Sequence, residues 1–108
     1  MSVYPDKALT IGIDWNIGLT LVMESLVDAA VRIGLPRALA RELVLQTMLG
    51  SGRFIQQSGK EPTELRRMVT SPGGTTAEAL LCLEKGGFSQ LLIEAVKAAY
   101  DKAKRLGG

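Results

Sequence analysis

The amino-acid sequence predicts an all-α protein, a helical bundle of about five helices. Apolar residues recur at three- and four-residue spacing along most of the 108 residues, as they do on one face of a helix. Glycine and proline interrupt that spacing at several points, which marks the ends of helices. No segment shows the pattern that requires a strand.

The first two predicted helices are the longest. One follows an apolar series at residues 19–33 and ends before a glycine. The other is predicted at 37–57, with Pro36 at its start. Proline is tolerated there because the first residues of a helix need no N–H donor. Gly50 and Gly52 lower the helix propensity of this second segment, so we expect close packing against another helix to require them.

The remaining three predicted helices are shorter or lie near the end of the chain. The first of them leads into a loop rich in proline and glycine, and a glycine pair separates the other two. Their predicted limits are Thr63–Val69, Thr76–Glu84 and Phe88–Arg105.

The loop that precedes the fourth helix has the composition of an anion-binding turn. It reads Thr70-Ser71-Pro72-Gly73-Gly74-Thr75-Thr76. Proline fixes its own φ, and the two glycines permit backbone angles and close approaches that side chains would block. The unpaired amides and the positive dipole end of the following helix favour a carboxylate or phosphate. The same residues also suit a simple turn that caps a helix, so both interpretations stand at this point.

Composition and charge argue against several classes of function. The 13 basic and 11 acidic residues are interspersed and leave a net charge of +2, which does not indicate a nucleic-acid-binding surface. The chain has no histidine, which excludes histidine metal sites and Ser-His or Cys-His nucleophiles. The longest apolar run, residues 17–23, is too short to span a membrane, and the first residues do not resemble a signal peptide.

Cys82 is the only cysteine, so the chain has no internal disulfide. It lies in an apolar series with Leu80, Leu81 and Leu83, and we expect a buried, unreactive thiol. A single thiol of this kind suits the reducing cytoplasm.

Besides the loop, six segments between roughly residues 24 and 107 match the sequence pattern of a known family. They are Asp28–Arg37, Gln46–Gly50, Ser58–Lys60, Glu64–Arg66, Leu83–Phe88 and Glu94–Val96. Together with the loop, they resemble the C-terminal dimerisation and substrate domain of pyrroline-5-carboxylate reductase, the NAD(P)H-dependent oxidoreductase that makes proline.

The resemblance implies an intertwined homodimer of all-helical domains. The apolar arcs of the first two predicted helices agree, since they are wide for a free-standing chain of this length. In the family, NAD(P)H binds a separate N-terminal domain. No dinucleotide fingerprint is present here, because Gly50-x-Gly52 lacks a preceding strand and a third glycine. We expect residues 1–11 to be a linker remnant, 12–108 the helical domain, and the chain alone to bind no cofactor and to be inactive.

The resemblance also places a substrate site in the loop. It implies that backbone amides and hydroxyls of this segment hold the carboxylate of pyrroline-5-carboxylate or proline, and that the Thr76 hydroxyl lies beside the ring nitrogen as the candidate catalytic group. The alternative for Thr76 is a helix cap and nothing more. The implied substrate-binding residues are Val69, Ser71, Gly74, Thr75 and Thr76.

One region departs from the family pattern. Residues 12–18 read Gly-Ile-Asp-Trp-Asn-Ile-Gly where the family has Ser-Gly-Ser-Gly-Pro-Ala-Tyr near the cofactor and the mouth of the site. The bulkier residues suggest an alternative: an engineered protein on this dimeric scaffold, with residues 13–20 rewritten to bind a protein partner or to repack the interface. Natural divergence is a third hypothesis. The candidate partner-binding residues are Ile13, Asp14, Trp15, Asn16 and Ile17.

Overall fold

The computed structural model describes residues 15–107, with side chains from residue 18 onward. This part of the chain contains five helices and no strand, which confirms the all-α prediction. The helices are α1 Trp15–Arg32, α2 Arg37–Ser58, α3 Pro62–Met68, α4 Thr75–Lys85 and α5 Phe88–Gly107.

The observed helix ends agree with the predicted ends to within a few residues. The largest difference is at α1, which begins at Trp15 and not near residue 19. Trp15 stands four residues before Leu19, so the apolar helical spacing extends back to the observed start, and the expected limit near residue 19 was one turn too late. At the other end of the chain, α5 continues to Gly107, past the expected limit at Arg105.

Four of the five helices form two packed pairs, each made of helices that are consecutive in the chain. α1 packs against α2, α4 packs against α5, and these are the only two pairs with extensive contacts among the described residues. In the first pair, Arg37 Nη1 donates to Asp28 Oδ1 at 3.2 Å across the connecting turn. Both side chains are more than half exposed, so this ion pair contributes little to stability.

A single chain buries few of its apolar side chains. Among the described residues, the buried hydrophobic positions are Val27 and Ala40 in the first helix pair and Leu65 in α3. Within the described part of the chain, twenty large hydrophobic side chains are exposed, and they lie on or next to all five helices. The two helix pairs therefore share no core within one chain.

Two expectations about packing are not met in the single chain. Cys82 is exposed, so the prediction of a buried thiol is wrong here, because among the described helices α4 packs extensively only against α5. A Cβ added at Gly50 or Gly52 would meet no atom within 4 Å. The close contact predicted for these glycines therefore does not occur within one chain.

None of the described helices is both long enough and apolar enough to cross a membrane. The longest, α2, has 22 residues but carries charged side chains at several positions.

The loop between α3 and α4 depends on a left-handed residue. Gly73 has φ of +74°, a region that side chains with a Cβ disfavour, although no atom lies within 4 Å of a Cβ built there. The constraint is therefore one of backbone conformation and not of space.

Substitution of Gly73 tests this constraint. We expect Gly73→Ala to lower the free energy of unfolding by about 1 kcal/mol, and Gly73→Asn to lower it by less, because asparagine tolerates the left-handed region. Urea unfolding at one fixed protein concentration measures both. Equal stability of the alanine variant and the unmodified chain would contradict the left-handed conformation.

Candidate functional site

The loop is fixed to the end of α3 by three hydrogen bonds. The Val69 amide donates to the Leu65 carbonyl at 3.3 Å, and the Thr70 amide donates to the Arg67 carbonyl at 3.3 Å. In addition, the Thr70 hydroxyl donates to the Arg66 carbonyl. The last carbonyls of α3 have no amide partner further along a helix. The first residues of the loop supply their hydrogen-bond donors instead.

A tight turn then leads from Ser71 to α4. The Gly74 amide donates to the Ser71 carbonyl at 2.9 Å. A Cβ on Gly74 would lie 3.1 Å from that same oxygen, which is tighter than nine in ten real Cβ contacts. The close backbone approach therefore favours glycine at this position, in line with the expectation from the sequence.

Gly74 is also the N-cap residue of α4. Its backbone is extended, with φ of −84° and ψ of 178°, and its carbonyl accepts the Glu78 amide at 3.1 Å. No side chain caps this helix. The alternative that Thr76 is the cap is therefore wrong, since Thr75 and Thr76 are the first two residues of the helix itself.

The first turn of α4 presents unpaired amide donors at a helix N-terminus. An uncapped terminus of this kind attracts an anion through its N–H groups and its dipole. Thr75 and Thr76 are exposed, so their hydroxyls are accessible as further donors. Residues 69–76 contain no titratable side chain. The arrangement thus suits binding and polarising an anionic ligand, without a general base of its own.

The structure brings the predicted substrate-binding residues into one continuous segment. Val69 ends α3, Ser71 begins the turn, and the other three form the start of α4. All are exposed except Gly74, which is partly exposed.

Sequence reasoning missed Thr70 as an individual contributor. A threonine placed just after a helix end can return its hydroxyl to a carbonyl four residues earlier, and this spacing was the available signal.

The candidate partner-binding residues are only partly described. Ile13 and Asp14 lie outside the described residues, and Trp15, Asn16 and Ile17 are described only as the backbone of the first turn of α1.

Other chemistry-bearing groups lie away from the loop. Across residues 15–107, no group of three or more carboxylate or thiol side chains is placed to hold a metal ion. On α5, the hydrogen bond and the charge of Asp101 raise the pKa of Lys97, whose Nζ lies 2.8 Å from Asp101 Oδ2. That pair is an exposed contact along one helix.

Comparison with known proteins gives consistent matches. The family model for pyrroline-5-carboxylate reductase dimerisation matches residues 19–106. Pyrroline-5-carboxylate reductase of Synechocystis sp. is 46% identical over 89 residues, which are 82% of this chain and 33% of that protein. Pyrroline-5-carboxylate reductase 3 of Danio rerio is 44% identical over 103 residues, covering 88% of this chain and 36% of that one. The chain thus spans about a third of the length of these relatives.

Solved structures agree with the sequence relatives. Plasmodium falciparum pyrroline carboxylate reductase with NADP bound superposes with a TM-score of 0.86 at 39% identity, over 92% of this chain and 38% of that one. The Coxiella burnetii pyrroline-5-carboxylate reductase gives a TM-score of 0.84 at 37% identity, over 91% and 37% of the two chains.

These matches confirm the resemblance stated from the sequence. They give no support to the alternative of an engineered surface at residues 13–20. The five-helix fold, the turn before α4 and the match over residues 19–106 together show that the chain belongs to the pyrroline-5-carboxylate reductase dimerisation family.

Proposed function

We propose that this chain is the dimerisation and substrate-binding domain of a pyrroline-5-carboxylate reductase and acts as a homodimer. The observation that carries the proposal is the absence of a shared core between the two helix pairs in the described residues. Its own part in the reaction is to join two subunits and to hold the substrate, while NAD(P)H supplies the hydride.

The apolar surface of α2 supports the dimer. Leu39, Leu43 and Phe54 are 45%, 47% and 52% exposed, and Gly50 lies between the last two. At 100° per residue, these four positions fall within one narrow stripe along the helix. Gly50 has open space where a Cβ would point, so a helix of a second copy can approach closely at that position.

The second helix pair, α4 and α5, also exposes large apolar side chains. Leu91 and Ile93 on α5 are 60% and 61% exposed, and Leu81 on α4 is also exposed. Each fully buried leucine or isoleucine side chain stabilises an assembly by about 1.5–3 kcal/mol. A second copy of the chain presents the same apolar surfaces, so the two copies can cover each other symmetrically.

A charge in the α2 stripe tests the dimer. We expect Leu43→Glu to raise the dimer dissociation constant by about a hundredfold or more, because each interface then loses two buried leucines and contains two unpaired carboxylates. Sedimentation equilibrium measures the change.

The matched control is Gln90→Glu, which adds the same charge to the polar face of α5 that carries Glu94 and Lys97. It should remain a dimer. A Leu43→Glu variant that associates as tightly as the unmodified chain would contradict this interface.

We further propose that Val69, Ser71, Gly74, Thr75 and Thr76 form the substrate site. The amides of the first α4 turn and the exposed threonine hydroxyls would bind the substrate carboxylate. The Thr76 hydroxyl would donate a hydrogen bond at the ring nitrogen, where a proton is gained when hydride adds to the neighbouring carbon. The uncapped terminus of α4 and the named reductases in the comparisons support this assignment.

Binding of L-proline tests the site without cofactor. We expect added L-proline to shift the backbone amide signals of Thr75 and Thr76 in ¹H–¹⁵N spectra, because these amides would donate to its carboxylate. Amides in the first turn of α5, which begins at Phe88, serve as an internal control and should not move. Prolinamide, which lacks the carboxylate, should cause no shift at either helix. Equal shifts with prolinamide and L-proline would contradict carboxylate binding by the loop.

A further inference from the structure

We infer that Thr70 is a positioning residue for the carboxylate site, an inference that rests on the proposed function of the loop. Its hydroxyl would not touch the substrate. It donates to the Arg66 carbonyl at 2.5 Å and so fixes the point where the chain leaves α3 and enters the turn.

The end of α3 shows why a side chain is needed there. In a continuing helix, the amide of residue 70 would donate to the carbonyl of residue 66. Here the Thr70 amide donates to the Arg67 carbonyl, one residue later, as the helix ends. The Arg66 carbonyl would then have no helical partner, and the Thr70 hydroxyl takes the place of the missing amide donor. Thr70 is partly buried while the bond itself is exposed, so water replaces part of that bond and its loss has a modest effect.

Thr70 is connected to the amides of the first α4 turn through Ser71 and Gly74. Ser71 follows directly, and its carbonyl accepts the Gly74 amide at 2.9 Å. Gly74 in turn is the N-cap of α4, and its carbonyl accepts the first helical bond from Glu78. A shift of Thr70 therefore moves the Ser71 carbonyl, and with it the residue that sets where the free amides of α4 point.

The chain contains a matched contact away from the site. The Thr47 hydroxyl donates to the Leu43 carbonyl at 2.8 Å inside α2, at the same four-residue spacing. The Leu43 carbonyl lies within a continuous helix of 22 residues, where it already accepts a hydrogen bond from the backbone amide of Thr47. Removal of this hydroxyl tests the loss of an equivalent bond without any change at the loop.

The experiment is a titration of four versions of the chain with L-proline, followed by the amide signals of Thr75 and Thr76. The variants are Thr70→Val, which keeps the shape but removes the donor, Thr70→Ser, which keeps the donor, and Thr47→Val. We expect Thr70→Val to weaken binding roughly three- to tenfold, and the other two variants to stay within about twofold of the unmodified chain. Circular dichroism and sedimentation equilibrium of each variant establish that it is folded and associated as the unmodified chain is, which Thr47→Val requires because Leu43 lies in the proposed dimer stripe.

The outcomes separate this inference from the proposed function. Binding to the unmodified chain with an unchanged Thr70→Val affinity would overturn the positioning role and leave the carboxylate site intact. Equal weakening by Thr70→Val and Thr47→Val would also overturn it, because the effect would then be a general loss of stability. No binding of L-proline to the unmodified chain would overturn the carboxylate site itself, and the role of Thr70 with it.

Discussion

The apolar faces that a single chain leaves exposed are the constraint on which the rest of this structure depends. Each helix pair packs internally, but the two pairs share no extensive contact among the described residues. With Val27, Ala40 and Leu65 as the buried hydrophobic positions there, one copy hides too little apolar surface to support five helices. The proposed association with a second copy would supply the missing burial, so substrate binding by the domain would depend on dimerisation.

The candidate site lies at the connection between the two helix pairs. The turn follows α3, which Leu65 anchors, and precedes α4, which belongs to the second pair. Its shape is fixed locally by a left-handed glycine, a close backbone approach and a threonine hydroxyl that completes the end of α3. Because the turn joins two helix pairs that share no extensive contact among the described residues, we expect a dimer that fixes those pairs also to fix the direction of the α4 amides. Assembly and substrate binding are then linked through the same short segment.

The sequence predicted the helices well because glycine and proline mark their ends, and it predicted the turn because Pro72, Gly73 and Gly74 have few other uses together. It failed at Cys82, since apolar neighbours indicate a buried face without indicating which chain buries it. The same holds for Gly50: the sequence indicates close packing there without indicating which chain supplies the other helix, and within one chain the space beside Gly50 is open. Thr70 was missed because its hydroxyl bond to a carbonyl four residues earlier depends on the exact residue at which α3 ends, and no glycine or proline marks that end.

The most direct test of the central claim is urea unfolding of this chain at protein concentrations that span about a hundredfold, with the molecular mass measured by sedimentation equilibrium on the same samples. If a second copy completes the core, the folded protein has the mass of a dimer and the unfolding midpoint rises with protein concentration, because dissociation accompanies unfolding. A folded monomer whose midpoint is independent of concentration would contradict the account, since its exposed apolar faces would then need no partner.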